Sequence, residues 1–303
     1  MSTKSKKVIM LICVLVGTCA LLSPSSHSLA VSNALSAYAC TVLPGLLPFL
    51  FLSSLISALG LTFGAIPCKV VRFLFGTHDG DLTVMSIIAG YPMSAKLLGE
   101  QNAQIPVPKR VARAITAHSS LPGPMFVIGA VGAGMLQNAY MGGVLYAVQL
   151  CAALITGLIF RCRTATLPLP PMHRTSATLN DCVQNTLSSA LTIGLFIALS
   201  AVILATANAL CLPDLLALIG IDKSLTSTAI ACIVEMSNGA MHLAANATPL
   251  AIAALSFTLA FGGLAVMAQS ISLARGAIKP LDYFAVKLTQ GAIAFCLTLP
   301  IIL

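Results

Sequence analysis

The chain has 303 residues, of which 58% are hydrophobic and only 8% are charged. A soluble domain carries about 25% charged residues, so this composition excludes a soluble globular protein and indicates several membrane-spanning helices. The net charge of +8 does not indicate nucleic-acid binding, because the basic residues are scattered between apolar runs, as in the cytoplasmic loops of membrane proteins.

Nine apolar stretches follow one another along the chain and predict an all-α polytopic membrane protein. The basic start "KSKK" precedes the first stretch, so residues 1–34 are expected to form either a membrane helix or a signal-like segment. The stretches lie at residues 8–30, 38–66, 82–99, 111–138, 139–160, 183–212, 225–248, 249–274 and 281–303.

The lysines and arginines favour a topology in which two of these stretches do not cross the membrane. If all nine crossed, the basic loop at residues 109–113 would lie outside, against the usual cytoplasmic bias. If the segments around residues 90–92 and 235–239 are re-entrant, fourteen of the sixteen lysines and arginines lie in the cytoplasm or at that interface. The exceptions are Lys96 and Lys223, and the N-terminus is cytoplasmic.

The two re-entrant segments occupy matching positions in two halves of opposite orientation. A first repeat is predicted at residues 35–160 and a second, inverted repeat at 181–303, joined by a cytoplasmic linker at 161–180. "IIAGYPMSAKL" in the first repeat has "CIVEMSNGAMHL" as its counterpart in the second. Inverted repeats with interrupted helices are typical of secondary transporters, whose binding site lies between the repeats near the bilayer midplane.

Prolines and glycines predict where the apolar helices are broken. An interrupted helix is tolerated in a membrane only where it is buried in protein or lines a polar cavity. A break also exposes the N-terminus of the next half-helix, whose free N–H groups bind anions. The predicted breaks are at Gly90, Pro92, Pro122, Pro124 and Gly239.

The candidate substrate-binding residues lie at or just after these breaks. Lys96 leads because an ionised lysine inside a membrane is costly, although its side chain could instead extend to the interface beside Glu100. Tyr91 is a packing residue with a hydroxyl group that can bind a ligand. The other candidates are Ser94, His118, Ser119, Ser120, Gly123, Ser237 and Asn238.

Glu235 and His118 are the candidate coupling groups. Glu235 is an acidic residue well inside an apolar run, and it either couples a proton or cation or pairs with a lysine or arginine. His118 either couples a proton or bonds to a backbone carbonyl.

Other chemistry is not predicted. The ten cysteines are spread singly, which indicates small buried apolar side chains and no metal site. The sequence has no P-loop, no H-E-x-x-H and no G-x-S-x-G motif, and no carboxylate is spaced to orient a histidine. We therefore expect neither a cofactor nor an enzymatic activity.

Four motifs carry a resemblance to a known family. "LPGLLPFLFLSSLISALG", "GYPMSAKLLGE", "HSSLPGPMFVIGAVGAGM" and "VEMSNGA" resemble the YlbJ-like sporulation integral membrane proteins, which belong to the wider nucleoside-recognition, or Gate, domain group. The resemblance implies a role in spore formation and the movement of a small molecule, with dipicolinate the suggested substrate. It also implies an architecture similar to that of concentrative nucleoside carriers, with re-entrant hairpins and broken helices.

The leading hypothesis is a secondary transporter of a small anionic metabolite in the bacterial cytoplasmic or forespore membrane. The alternatives are a non-transporting membrane scaffold in envelope or spore assembly, and a nucleoside-type carrier. The expected partners are the small anion and the lipid bilayer; nucleic acid is not expected, and a homo-oligomer is left open.

Overall fold

The structure is a computed structural model that describes residues 3–59, 63–162, 178–218 and 222–303. These residues form helices and connecting turns, with no strand among them, so the predicted all-α class is confirmed. The predicted linker at residues 161–180 falls largely on residues 163–177, which lie outside the described residues.

The first half of the described chain contains eight α-helices, which are 10 to 21 residues long. Two π-helical segments, Tyr38–Val42 and Met125–Met135, lie before α3 and before α8. The α-helices are α1 (Thr3–Leu22), α2 (Pro24–Ala37), α3 (Leu43–Leu59), α4 (Ala65–Phe75), α5 (Gly80–Ala89), α6 (Met93–Gln104), α7 (Lys109–Ser119) and α8 (Ala139–Ile159).

The second half begins and ends with long helices. Side-chain caps define several helix starts: Thr178 caps α9, Asp222 caps α11 and Thr248 caps α13. The helices are α9 (Leu179–Ala209), α10 (Leu212–Ala217), α11 (Lys223–Val234), α12 (Met236–Ala244), α13 (Pro249–Phe261), α14 (Gly263–Leu273) and α15 (Pro280–Ile302).

Several helices are long and apolar enough to cross a bilayer, so the chain is a multi-pass membrane protein. Among the described residues, four helical stretches qualify by length and composition, and they are Ala139–Ile159, Leu179–Ala209, Pro249–Leu273 and Pro280–Ile302. Cys13–Leu22 and Pro24–Cys40 add a fifth if they are counted as one span, but they are bent by 106°. Pro24 starts a new helix after this bend, and the choice between a membrane helix and a signal-like segment at residues 1–34 stays a prediction.

Besides the bend between α1 and α2, four helix breaks in the described residues matter for the site, and three of them were predicted. They separate α5 from α6 at residues 90–92, α7 from the π-helix at 120–124, α11 from α12 at Glu235, and α13 from α14 at Gly262. The predicted break at Gly239 is wrong in detail, because this residue lies inside α12 and the interruption comes at the extended Glu235. The break at Gly262 was not predicted.

A hydrophobic core surrounds these breaks. Tyr91, Phe126, Met236 and Leu259 belong to one buried cluster, although they come from widely separated parts of the chain.

The cysteines are less buried than expected. Five of the ten are exposed on the protein surface, so the prediction of ten buried side chains is wrong. Those five are Cys13, Cys40, Cys151, Cys211 and Cys296.

Candidate binding site

Two pairs of helices are each interrupted by a short break, α5–α6 at residues 90–92 and α11–α12 at Glu235. The second interrupted pair, α11–α12, is a helical hairpin. Gly239 of α12 packs directly against Cys232 of α11, where an added Cβ would lie 2.6 Å from the Cys232 Cα atom. The two residues lie on opposite sides of the break at Glu235, so α12 turns back along α11. Gly239 therefore permits close packing of the two arms, which is the physical role of the glycine that the sequence suggested as a break.

Each interrupted pair contacts the next break along the chain. The break between α5 and α6 contacts residues 121–123, and the break between α11 and α12 contacts Gly263. In the first half, the Tyr91 N–H donates to the Leu121 carbonyl at 2.9 Å. A Cβ on Gly90 would lie 2.2 Å from the Gly123 nitrogen. In the second half, a Cβ on Gly263 would lie 3.2 Å from the Glu235 Cα atom. The two halves thus share one local arrangement, while their opposite orientation in the membrane stays a prediction.

Tyr91 connects the two halves. Its backbone bonds to the first-half break, and its hydroxyl donates to the carbonyl oxygen of Leu259, near the end of α13. The same hydroxyl lies 3.4 Å from the sulfur of Met236, the first residue of α12. A single buried residue therefore lies in one break and contacts two others, through its backbone at Leu121 and its hydroxyl at Met236. A Cβ on Gly262 at the fourth break would lie 3.4 Å from this hydroxyl.

A small cavity of about 50 Å³ lies where the breaks converge. Its polar or break-forming lining comes from both halves and includes Tyr91, Pro92, Pro122, Gly123, Glu235 and Ser237. Ile193, Phe196 and Ile197 of α9 contribute apolar lining. This volume is well below the roughly 300–1,000 Å³ of pockets that bind drug-sized molecules.

A much larger groove, of about 810 Å³, runs between α2 and α9 and reaches Asn238 and Met241 of α12. Ser237 lines the small cavity and the next residue, Asn238, lines the groove. The first turn of α12 therefore separates the two spaces.

Glu235 is a buried carboxylate beside the cavity. Its side chain is the N-cap of α12 and accepts a hydrogen bond from the Asn238 N–H at 2.8 Å. Within the described part of the chain, no lysine or arginine forms an ion pair with it. The expected alternative of a structural ion pair is thus not observed there, and the carboxylate instead occupies the positive end of a half-helix.

Lys96 lies away from the cavity. Its ammonium group donates to the hydroxyl of Ser189 on α9 at 3.2 Å, and it is not among the cavity-lining residues. Ser94, two residues before Lys96 on α6, is buried and does not line the cavity either. The anion-binding role of both residues stays a prediction.

His118 forms a buried pair with a carboxylate. Its Nε2 atom lies 3.0 Å from Asp79 Oδ2 and 3.1 Å from the Thr83 hydroxyl, and its ring stacks on Phe75 at 4.2 Å. The expected absence of a carboxylate that could orient a histidine was therefore wrong, because the fold brings together residues 39 positions apart. The predicted backbone carbonyl is not a partner of Nε2.

The serines at the end of α7 have separate roles. The Ser119 hydroxyl donates to the Ile115 carbonyl within its own helix at 2.6 Å. The Ser120 hydroxyl instead lies 3.0 Å from the Tyr283 hydroxyl on α15. Only the second serine therefore links the break to another helix.

Lys287 is a buried residue that the sequence interpretation misplaced. It was counted among the cytoplasmic or interfacial lysines, yet it is the eighth residue of α15 and is fully buried. Its ammonium group donates to the Ser120 carbonyl at 2.8 Å and to Gln290 Oε1 at 2.6 Å. It also lies 4.8 Å from the centre of the Tyr91 ring. A lone lysine several residues into the final apolar stretch was the signal that could have identified it.

The chain is similar to the sporulation integral membrane protein YlbJ of Bacillus subtilis (strain 168). The two sequences are 25% identical over 311 aligned residues, which cover 89% of this chain and 76% of YlbJ. No family model and no solved structure matches the chain. The resemblance to the YlbJ-like proteins is confirmed, while membership of the wider Gate domain group stays a prediction.

Proposed function

We propose that this YlbJ-like integral membrane protein is a secondary transporter of a small anionic metabolite. The observation that carries the proposal is the convergence of three helix breaks on one small cavity, which is lined by Tyr91 and Pro92, by Pro122 and Gly123, and by Glu235. Unpaired backbone groups are costly inside a bilayer, so repeated breaks at one place are tolerated where they serve a polar site. Broken helices that meet between two halves are typical of secondary transporters.

The chemistry of the cavity supports an anionic substrate. Helix α6 begins one residue after the cavity-lining Pro92, and its N-terminus carries partial positive charge. Lys287 adds a buried cation behind the Tyr91 ring. We propose a small dicarboxylate such as dipicolinate as the substrate, transported across the forespore membrane. The name of the similar protein, which refers to sporulation, supports this choice.

The small volume of the cavity implies that transport requires a conformational change. About 50 Å³ is too small for an aromatic dicarboxylate, whereas the neighbouring groove is more than ten times larger. Only the first turn of α12 separates them, so we propose that the α11–α12 hairpin moves to connect the groove to the cavity. This proposal treats the hairpin as re-entrant and the two repeats as inverted.

Glu235 is the proposed proton-coupling residue. It is buried beside the cavity with no basic partner among the described residues, so its charge can change with the state of the site. The His118–Asp79 pair is the second candidate, although neither residue lines the cavity. The proposed activity requires no bond-making step, cofactor or metal ion.

Uptake into proteoliposomes tests the proposal. The purified full chain is reconstituted, and uptake of radiolabelled dipicolinate is compared with uptake of radiolabelled uridine under proton and sodium gradients. We expect dipicolinate uptake above that of protein-free liposomes. Uridine uptake alone would favour the nucleoside-type carrier, and no uptake of either compound under any gradient would favour the non-transporting scaffold.

A further inference from the structure

The buried ammonium group of Lys287 lies at the end of a broken helix. Residue 120 follows the last residue of α7, and its carbonyl oxygen points away from the helix to accept a hydrogen bond from Lys287 at 2.8 Å. The C-terminal end of a helix carries partial negative charge, which stabilises a nearby cation. The ammonium group is thus held by the electrostatics of the break itself.

Helix α15 positions this group with three side chains on one face. Tyr283, one turn before Lys287, lies 3.0 Å from the Ser120 hydroxyl, so α15 binds both the side chain and the carbonyl of this residue. Gln290, one turn after Lys287, accepts its second hydrogen bond at 2.6 Å. The face of Tyr91 covers the ammonium at 4.8 Å. No carboxylate pairs with Lys287 among the described residues.

This environment has the composition of a site for a coupling cation. In transporters with discontinuous helices, unwound carbonyls and half-helix C-terminal ends coordinate the sodium ion or proton that drives transport. Here a backbone carbonyl, an amide oxygen and an aromatic face surround a positive charge that is part of the chain. The lysine side chain therefore holds its nitrogen, as part of the chain, at a position that an exchangeable cation would otherwise occupy.

We infer that Lys287 is a tethered replacement for a coupling sodium ion at the first-half break, so that the protein folds and works without sodium. The inference deepens the proposed transport function and rests on it for its meaning, but its structural consequence can be measured without transport. Removal of the ammonium group would leave the Ser120 carbonyl and the Gln290 amide oxygen facing an empty space. Oxygen ligands of this kind, completed by water, suit a hard cation.

The test measures the melting temperature of the purified full chain in sodium chloride and in choline chloride at equal ionic strength. We expect no difference for the wild-type protein. Lys287→Ala and Lys287→Ser are expected to melt several degrees higher in sodium chloride, because a ligand that binds the native state stabilises it. Lys287→Met, which fills the space with an apolar chain, and Lys96→Ala, which removes a lysine from outside the cavity, are expected to show no sodium effect.

Two results of the melting measurement would overturn the inference. One is sodium stabilisation of the wild-type protein. The other is indifference to sodium in both Lys287→Ala and Lys287→Ser, including failure of both to fold in either salt. Dipicolinate uptake that depends on a sodium gradient would also refute the inference, but it would support the proposed transport function. The expected melting pattern without any uptake would support the tethered cation and count against transport.

Discussion

Gly90 and Tyr91 are the two residues on which the contact between the halves depends. Gly90 has a φ of 76° and packs so closely on Gly123 that a Cβ would collide with its backbone. This close approach brings the Tyr91 N–H to the Leu121 carbonyl, and the Tyr91 hydroxyl then reaches Leu259 in the other half. The requirement for glycine is thus steric, and the adjacent tyrosine supplies the polar contacts.

Gly90→Ala is therefore expected to destabilise the folded protein. The Cβ would lie 2.2 Å from the Gly123 nitrogen in a backbone conformation that alanine rarely adopts, and unusual backbone conformations alone cost about 1–3 kcal/mol. Gly143→Ala in α8 is the matched control, because nothing lies within 4 Å of its added Cβ. The measurement is thermal unfolding in detergent, and equal melting temperatures for the two variants would contradict the steric role of Gly90.

At the scale of elements, both interrupted pairs touch the following break, but their tips differ chemically. The first tip is Gly90-Tyr91-Pro92, which contributes a tyrosine to the interface between the halves. The second tip is Glu235, whose carboxylate caps α12 through the Asn238 N–H. A protein carboxylate therefore occupies a helix end that would otherwise attract an anion, so the second pair is the better candidate for sensing charge.

The variant Glu235→Gln removes the charge of this residue while it keeps the hydrogen bond that caps α12. The amide oxygen of glutamine can accept the same hydrogen bond, so the helix keeps its cap and loses only a charge–dipole contribution of roughly 0.3–1 kcal/mol. We expect folded protein in which uptake driven by a proton gradient is lost while downhill exchange of dipicolinate persists.

Asp222→Asn is the control for this variant, because Asp222 caps α11 through the Leu225 N–H and is exposed. Its proton-driven uptake is expected to equal that of the wild-type protein. Proton-driven uptake at the wild-type level in Glu235→Gln would remove this residue from coupling.

At the scale of the whole molecule, local rules predicted the breaks, and only the fold revealed their partners. Pro92 and Pro122 interrupt a helix through their own chemistry, so their neighbours are irrelevant to the prediction. The Gly262-Gly263 pair lies in a run that is otherwise apolar, and glycine is a weaker helix breaker than proline. Asp79 and Lys287 were missed because their partners are 39 and 167 residues away in sequence. Burial of a charge depends on such distant contacts, which spacing along the chain does not encode.

The predicted topology has its own test in four single-cysteine variants on a cysteine-free background. Lys69→Cys and Gln104→Cys flank the first interrupted pair, and Ser224→Cys and Ala247→Cys flank the second; all four positions are exposed. If both pairs are re-entrant from opposite sides, a membrane-impermeant maleimide labels the first two from the cytoplasmic side only. It labels the last two from the opposite side only.

Labelling of Lys69→Cys and Gln104→Cys from different sides would mean that the first pair crosses the membrane. Labelling of all four variants from one side would contradict the inverted arrangement of the repeats. Either result would require a new assignment of the basic loops, beginning with the loop at residues 109–113.

Protection of Ser237→Cys by dipicolinate tests most directly whether the cavity between the breaks binds the anion. Ser237 lines the cavity, whereas Ser224 is exposed at the start of α11 and serves as the control position. In the cysteine-free background, we predict that dipicolinate slows maleimide modification of Ser237→Cys at least several-fold and leaves the rate at Ser224→Cys unchanged. Equal modification rates of Ser237→Cys with and without saturating dipicolinate would contradict the account.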